Sequence, residues 1–75
     1  MESLTCPADS YYFRGSAYGR KGEIDRAVKD YTEAIRLKPD DEPAFFARGL
    51  AYENKGDQAK ADADFAQSDA LKAKK

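Results

Sequence analysis

The 75-residue chain predicts an all-α fold built as two stacked antiparallel helix-turn-helix hairpins, an α-solenoid in miniature. Three observations lead there: the sequence repeats at an interval of 34 residues, its apolar residues recur at helical spacing, and Pro and Gly punctuate it where helices must start and stop. Shifted by 34, Arg14 falls on Arg48, Gly15 on Gly49, Ala17 on Ala51, Tyr18 on Tyr52, Lys21 on Lys55 and Gly22 on Gly56. Ala27 and Ala61, Asp30 and Asp64, Leu37 and Leu71, Lys38 and Lys72 complete ten identities in 34 positions. Average residue usage would give roughly two by chance. Tyr11/Phe45, Tyr12/Phe46, Glu23/Asp57 and Tyr31/Phe65 are close replacements. Self-similarity at this period marks a stacked helical array.

Each element follows from local chemistry. Pro7 suits the first turn of a helix, where its missing N–H costs nothing, and Asp9 sets negative charge near the same end, so a helix is expected over about 8–21. Gly22 stops it and Glu23 opens the next element. Ile24, Ala27, Val28, Tyr31, Ala34 and Ile35 then form an apolar stripe three and four residues apart, predicting a helix over 24–37. Pro39 with Asp40 and Asp41 breaks that helix. Pro43 opens a third to about residue 55, and Gly56-Asp57 turns into a fourth over 58–72. No strand pattern is present. The organisation expected is a lead over 1–7, a first repeat over 8–41 and a second over 42–75 with a solvated C-terminal end.

Midway along the helices stand small residues: Gly15, Gly49, Ala17, Ala51, Ala27 and Ala61. A mid-helix Gly costs about 1 kcal/mol against Ala, so close helix approach is the expected compensation. Rings at 11, 18, 31, 45, 52 and 65 are expected to fill the space between paired helices. Arg14 and Arg48 each have an Asp sixteen residues on, Asp30 and Asp64, which predicts an ion pair inside each hairpin.

Composition narrows the function. Thirteen Lys plus Arg against fourteen Asp plus Glu leave a net charge of -1, without the clustered basic excess that nucleic-acid binding requires. The one basic cluster, Lys72, Lys74 and Lys75, reads as a solvated end. No apolar run approaches the ~20 residues of a membrane span, and Met1 to Leu4 lack the basic start of a signal peptide, so a soluble chain without membrane contact is expected. Cys6 is the single cysteine: a free thiol, or one half of an intermolecular disulfide. With no His and one Cys outside the repeats, neither a nucleophilic triad nor a His-based metal site can be assembled within one chain. Glycines 15, 19 and 22 lie along and at the end of a helix with no Gly-Lys-Ser/Thr following, which excludes a phosphate loop. The carboxylates fall in a turn and on a solvated helix face. No catalytic residue, cofactor or metal is expected, and surface recognition remains.

The residues Tyr11-x-x-Arg14-Gly15-x-x-Tyr18, Ala27-x-x-x-Tyr31 and Pro39 resemble the tetratricopeptide repeat pattern. Phe45-x-x-Arg48-Gly49-x-x-Tyr52 with Ala61-x-x-x-Phe65 is similar, so the resemblance covers residues 8–75. Arg14 and Arg48 stand where that family usually has Leu, and Ala73 where it has Pro. The resemblance implies a right-handed superhelical stack and a non-enzymatic module that binds proteins or peptides. It also implies that the first helix of each hairpin lines a concave groove for a peptide or partner helix. Helix geometry then assigns to the groove Tyr12, Ser16 and Arg20 from the first helix and Phe46, Leu50 and Asn54 from the third. These six are expected to be spare from the hairpin cores, with contact to a neighbouring repeat or second chain as the alternative. Some members grip a C-terminal carboxylate through Lys and Asn on this face. Tyr12, Ser16 and Ala47 occupy those places here, so that mode is not expected.

The two copies differ at their outer faces. Ile24, Val28 and Ile35 correspond to Gln58, Asp62 and Asp69, an apolar-to-polar exchange that predicts a finished, solvated surface on the last helix. No such exchange occurs at the other end, where Tyr11, Tyr12 and Phe13 stand in succession. That end predicts either self-association into a homo-oligomer or a place at the trailing end of a longer array.

Overall fold

The computed structural model describes residues 7–73. The expectations for Cys6, Lys74, Lys75 and the lead before Pro7 lie outside that range. Among the described residues the secondary structure is helical throughout: α1 (Pro7–Arg20), α2 (Ile24–Leu37), α3 (Glu42–Lys55) and α4 (Gln58–Ala73). α1 packs on α2 and α3 on α4 as two hairpins, and α2 packs on α3 to join them.

Both hairpins turn in the same way because the same residues sit at the turn. Gly22 and Gly56 both adopt φ +86°, the left-handed conformation that a residue without Cβ takes without strain. Around them the backbone closes the same pair of bonds. Glu23 N–H donates to the Tyr18 carbonyl at 2.9 Å and Gly22 N–H to that of Gly19 at 3.1 Å. Asp57 N–H donates to Tyr52 at 2.9 Å and Gly56 N–H to Glu53 at 3.0 Å. This double closure satisfies carbonyls that the helix end would leave unpaired. At the junction between hairpins Pro43 lies in the first turn of α3, where no N–H is needed.

The core is made of small side chains. Ala8, Ala34 and Ala44 form one buried cluster, with Tyr11, Tyr12 and Ile35 against it. Ala27, Tyr31 and Ala51 form the other, with Tyr12, Tyr18, Ile24 and Val28 around them. Small residues let helices approach closely, and the mid-helix glycines take this to its limit. A Cβ on Gly15 would stand 2.8 Å from Tyr31 Cε1 and 3.2 Å from the Ala27 carbonyl oxygen. On Gly49 it would stand 2.6 Å from Phe65 Cε1 and 3.2 Å from the Ala61 carbonyl oxygen. The ring must swing aside and the carbonyl give by a few tenths of an ångström before either position takes a side chain, so both favour glycine at the present helix spacing.

Two expectations need correction. Ala17 is exposed although its counterpart Ala51 is buried, because α2 covers that face of α3 and, among the described residues, no helix covers that face of α1. Of the six rings expected between paired helices only Tyr31 is buried; the other five are half-buried. Tyr11, Tyr18, Phe45 and Tyr52 instead carry Arg14, Arg26, Arg48 and Arg48 respectively against their faces, 5.4 to 5.8 Å from ring centroid to guanidinium carbon.

Candidate functional site: the groove between α1 and α3

On an α-helix, residues four apart share a face. Tyr12, Ser16 and Arg20 therefore form one row on α1, and Phe46, Leu50 and Asn54 form one on α3. All six line a single groove of ≈ 350 Å³. Its walls also include Gly19, Ala47 and Ala51, and its remaining lining is Ile24, Ala27 and Tyr31 of α2. Sequence reasoning places Ala47 on this inner face and misses the other five. Ile24, Ala27, Tyr31 and Ala51 read as core, and only the packing of α1, α2 and α3 shows that they also back the groove.

Hairpin packing fixes the groove's aromatic side chains. The Tyr31 ring lies 5.9 Å from that of Tyr12, and its hydroxyl donates to Ser16 Oγ at 3.2 Å. Phe46 leans on Phe65 of α4 at 5.4 Å between centroids. Tyr12 thus differs from expectation: it packs on both core clusters as well as lining the groove. Phe46 and Leu50, by contrast, are 50% and 43% exposed. Arg20 is exposed and, among the described residues, makes no ion pair or hydrogen bond to a carboxylate, unlike the other four arginines. The groove is apolar along most of its length, with one cation, unpaired among the described residues, at an end.

The predicted hairpin ion pairs are both present and identical in form. Arg14 donates through Nε and Nη2 to Asp30 at 2.8 and 2.9 Å, and Arg48 does the same to Asp64 at 2.8 and 2.9 Å. The hydrogen bond to its Asp, above all, raises each guanidinium's already high pKa. Arg48 also donates to Thr32 Oγ1 of the first hairpin at 3.2 Å, and Lys55 reaches back to Asp25. These two links between hairpins were not legible in the sequence, since neither Thr32 nor Asp25 recurs at the repeat interval.

A second cavity of ≈ 510 Å³ opens between α1 and α2 on the other side, lined by Tyr11, Arg14, Tyr18 and Asp30 among others. Its principal charges already answer one another: Arg14 holds Asp30, Arg26 lies 3.3 Å from Glu23, and Arg36 holds Glu33 below the usual carboxylate range through a hydrogen bond. The three successive rings at the start of α1 do not make one patch. Tyr11 and Tyr12 lend a side to the core, whereas Phe13 stands 66% exposed.

At the junction of the hairpins Asp41 is buried, and its Oδ2 has no hydrogen-bond partner among the described residues. Burial pushes this carboxyl above its ordinary pKa, with Asp9 and Asp40 adding to the effect and the Ala44 amide and Lys38 opposing it. Among the described residues no group of His, Cys, Asp and Glu could hold a metal ion, and no helix is long and apolar enough to cross a membrane.

No curated protein matches the chain. The family pattern described as TPR repeat matches residues 15–56, and that described as tetratricopeptide repeat matches residues 42–75. With paired helices, twin Gly-centred turns and twin Arg–Asp clamps repeating at the same interval, the chain belongs to the tetratricopeptide repeat family.

Proposed function

We propose that the groove between α1 and α3 is a binding surface for a peptide or partner helix, and that the chain acts without catalysis. Tetratricopeptide repeats are generally protein–protein interaction modules and typically non-catalytic. The observation that carries the finer reading is the pair Phe46 and Leu50. Both are large, apolar and open on the floor of a concave surface, where a partner's side chain would remove them from water. Because neither belongs to a buried core cluster, Phe46→Ala with Leu50→Ala should leave helicity intact while abolishing capture of partners by the chain. Unchanged affinity in that double variant would move the site elsewhere.

A second reading is self-association through α1, favoured by the exposed Phe13 beside the uncovered Ala17. Equivalent positions on α3, Ala47 and Ala51, are covered by α2, so a helix can pack on this kind of face. Sedimentation equilibrium over a hundredfold concentration range should show association that Phe13→Asp removes. A strictly monomeric parent would end this reading.

A further inference from the structure

We infer that the groove selects segments in which a large apolar side chain is followed or preceded, within a few residues, by an internal Asp or Glu. This rests on the groove reading above and specifies the partner's chemistry. None of the twelve residues lining the groove is acidic, and Arg20 is the one charged residue among them. Every other arginine of the chain is held by a carboxylate of its own: Asp30, Glu23, Glu33 and Asp64 for Arg14, Arg26, Arg36 and Arg48. Among the described residues Arg20 is therefore a guanidinium with no carboxylate partner, placed at the rim of an apolar surface whose other polar side chains are uncharged.

Position along the groove sets the spacing. α1 and α3 occupy the same place in their hairpins, so Arg20 and Asn54 stand in equivalent positions at one end and Tyr12 and Phe46 at the other. Eight residues of helix separate the two ends, about 12 Å at ~1.5 Å per residue. Measured along the helix axes alone, an apolar side chain seated on Phe46 and Leu50 lies some 6–12 Å from the level of the cation, at ~1.5 Å per residue. An extended segment at ~3.3 Å per residue covers that in about two to four residues. A carboxylate there accepts from Arg20 in the planar, paired geometry a guanidinium favours, and Asn54 can donate alongside. An amide or a cation at the same place would leave the guanidinium unpaired or repelled.

The test is selection from a phage library of random 12-residue peptides fused through their C-termini, so that no free terminal carboxylate is displayed. The intact chain and its Arg20→Glu variant serve as baits, with circular dichroism confirming that the exposed substitution leaves the helices intact. The inference predicts that the parent enriches peptides carrying an aromatic or branched aliphatic residue and an Asp or Glu two to four positions away. Arg20→Glu should exchange the acid for Lys or Arg while keeping the apolar residue. One parent-selected peptide, synthesised with its acid changed to the amide, should bind about fivefold to tenfold more weakly at low salt. Apolar enrichment with no preference for charge, unaltered by Arg20→Glu, would overturn the inference and leave the groove reading standing. No enrichment, or enrichment that survives Phe46→Ala with Leu50→Ala, would overturn both.

Discussion

Arg14 and Arg48 do the same work in the two hairpins, yet their side chains are 60% and 18% exposed. The clamps themselves are superimposable in distance, and the buried partners Asp30 and Asp64 are alike. What differs is the neighbour: α2 lies over Arg48, with Thr32 bonded to it, while among the described residues no further helix lies over Arg14. The same contrast holds at Ala17 against Ala51 and at Ser10 against Ala44, exposed in the first hairpin and buried in the second. Thus the repeat encodes the inside of each hairpin, and the stacking partner decides how the outside behaves. In solenoids stability divides in this way, into terms within repeats and terms between neighbours.

The contrast can be broken most severely at Ala27, which meets Ala51 of the second hairpin as well as the first hairpin's own core. Ala27→Leu should overpack both and cost about 1–3 kcal/mol, with Ala61→Leu, enclosed by one hairpin, toward the lower end. Thermal melts would show it, and equal midpoints for parent and variants would contradict the helix pairing. Next comes the clamp. Arg48→Met strands the buried Asp64 and loses Thr32, which should cost about 2 kcal/mol in urea unfolding. Arg14→Met, with water already at the guanidinium, should cost less. Equal losses would show that stacking adds nothing to the second clamp.

The smallest expected effect is at Asp41, which stands at the junction and has Pro7 as its repeat equivalent. Its carboxyl binds a proton more tightly folded than unfolded. Its contribution to stability is therefore most favourable below the ordinary carboxylate pKa and is lost as pH rises through the raised folded value. Asp41→Asn keeps a good helix N-cap residue and removes the buried charge. It should raise the urea midpoint slightly at pH 7, and the gain should shrink as pH falls through the raised folded value toward the ordinary carboxylate pKa. A gain as large at pH 4 as at pH 7 would locate the effect outside this titration.

Most of the fold was legible because the features that set it are local or repeat. Gly22 and Gly56 announce their turns, Pro7 and Pro43 their helix starts, and a charge pair sixteen residues apart appears twice. Arg14–Asp30 and Arg48–Asp64 could be read from that recurrence alone. That the first helix of each hairpin lines a groove came from the family resemblance, and four-residue spacing then picked out its rows on α1 and α3. What was not legible depends on one copy of a contact. Thr32 meets Arg48 and Asp25 meets Lys55 only because α2 has a following helix to touch, and nothing at the repeat interval signals either. Tyr12 was misjudged as spare because spacing assigns a residue to one face, whereas a ring this large reaches two.

The α1–α3 groove is proposed as the place where this chain meets another. Amide chemical-shift mapping of the labelled chain, titrated with the tightest peptide recovered from the library, tests it directly. The groove account predicts that the largest changes fall on Ser16, Arg20, Phe46, Leu50 and Asn54, with Ser10, Phe13 and Ala17 on the uncovered face of α1 unmoved. Changes concentrated on Ser10, Phe13 and Ala17, with the groove silent, would contradict it.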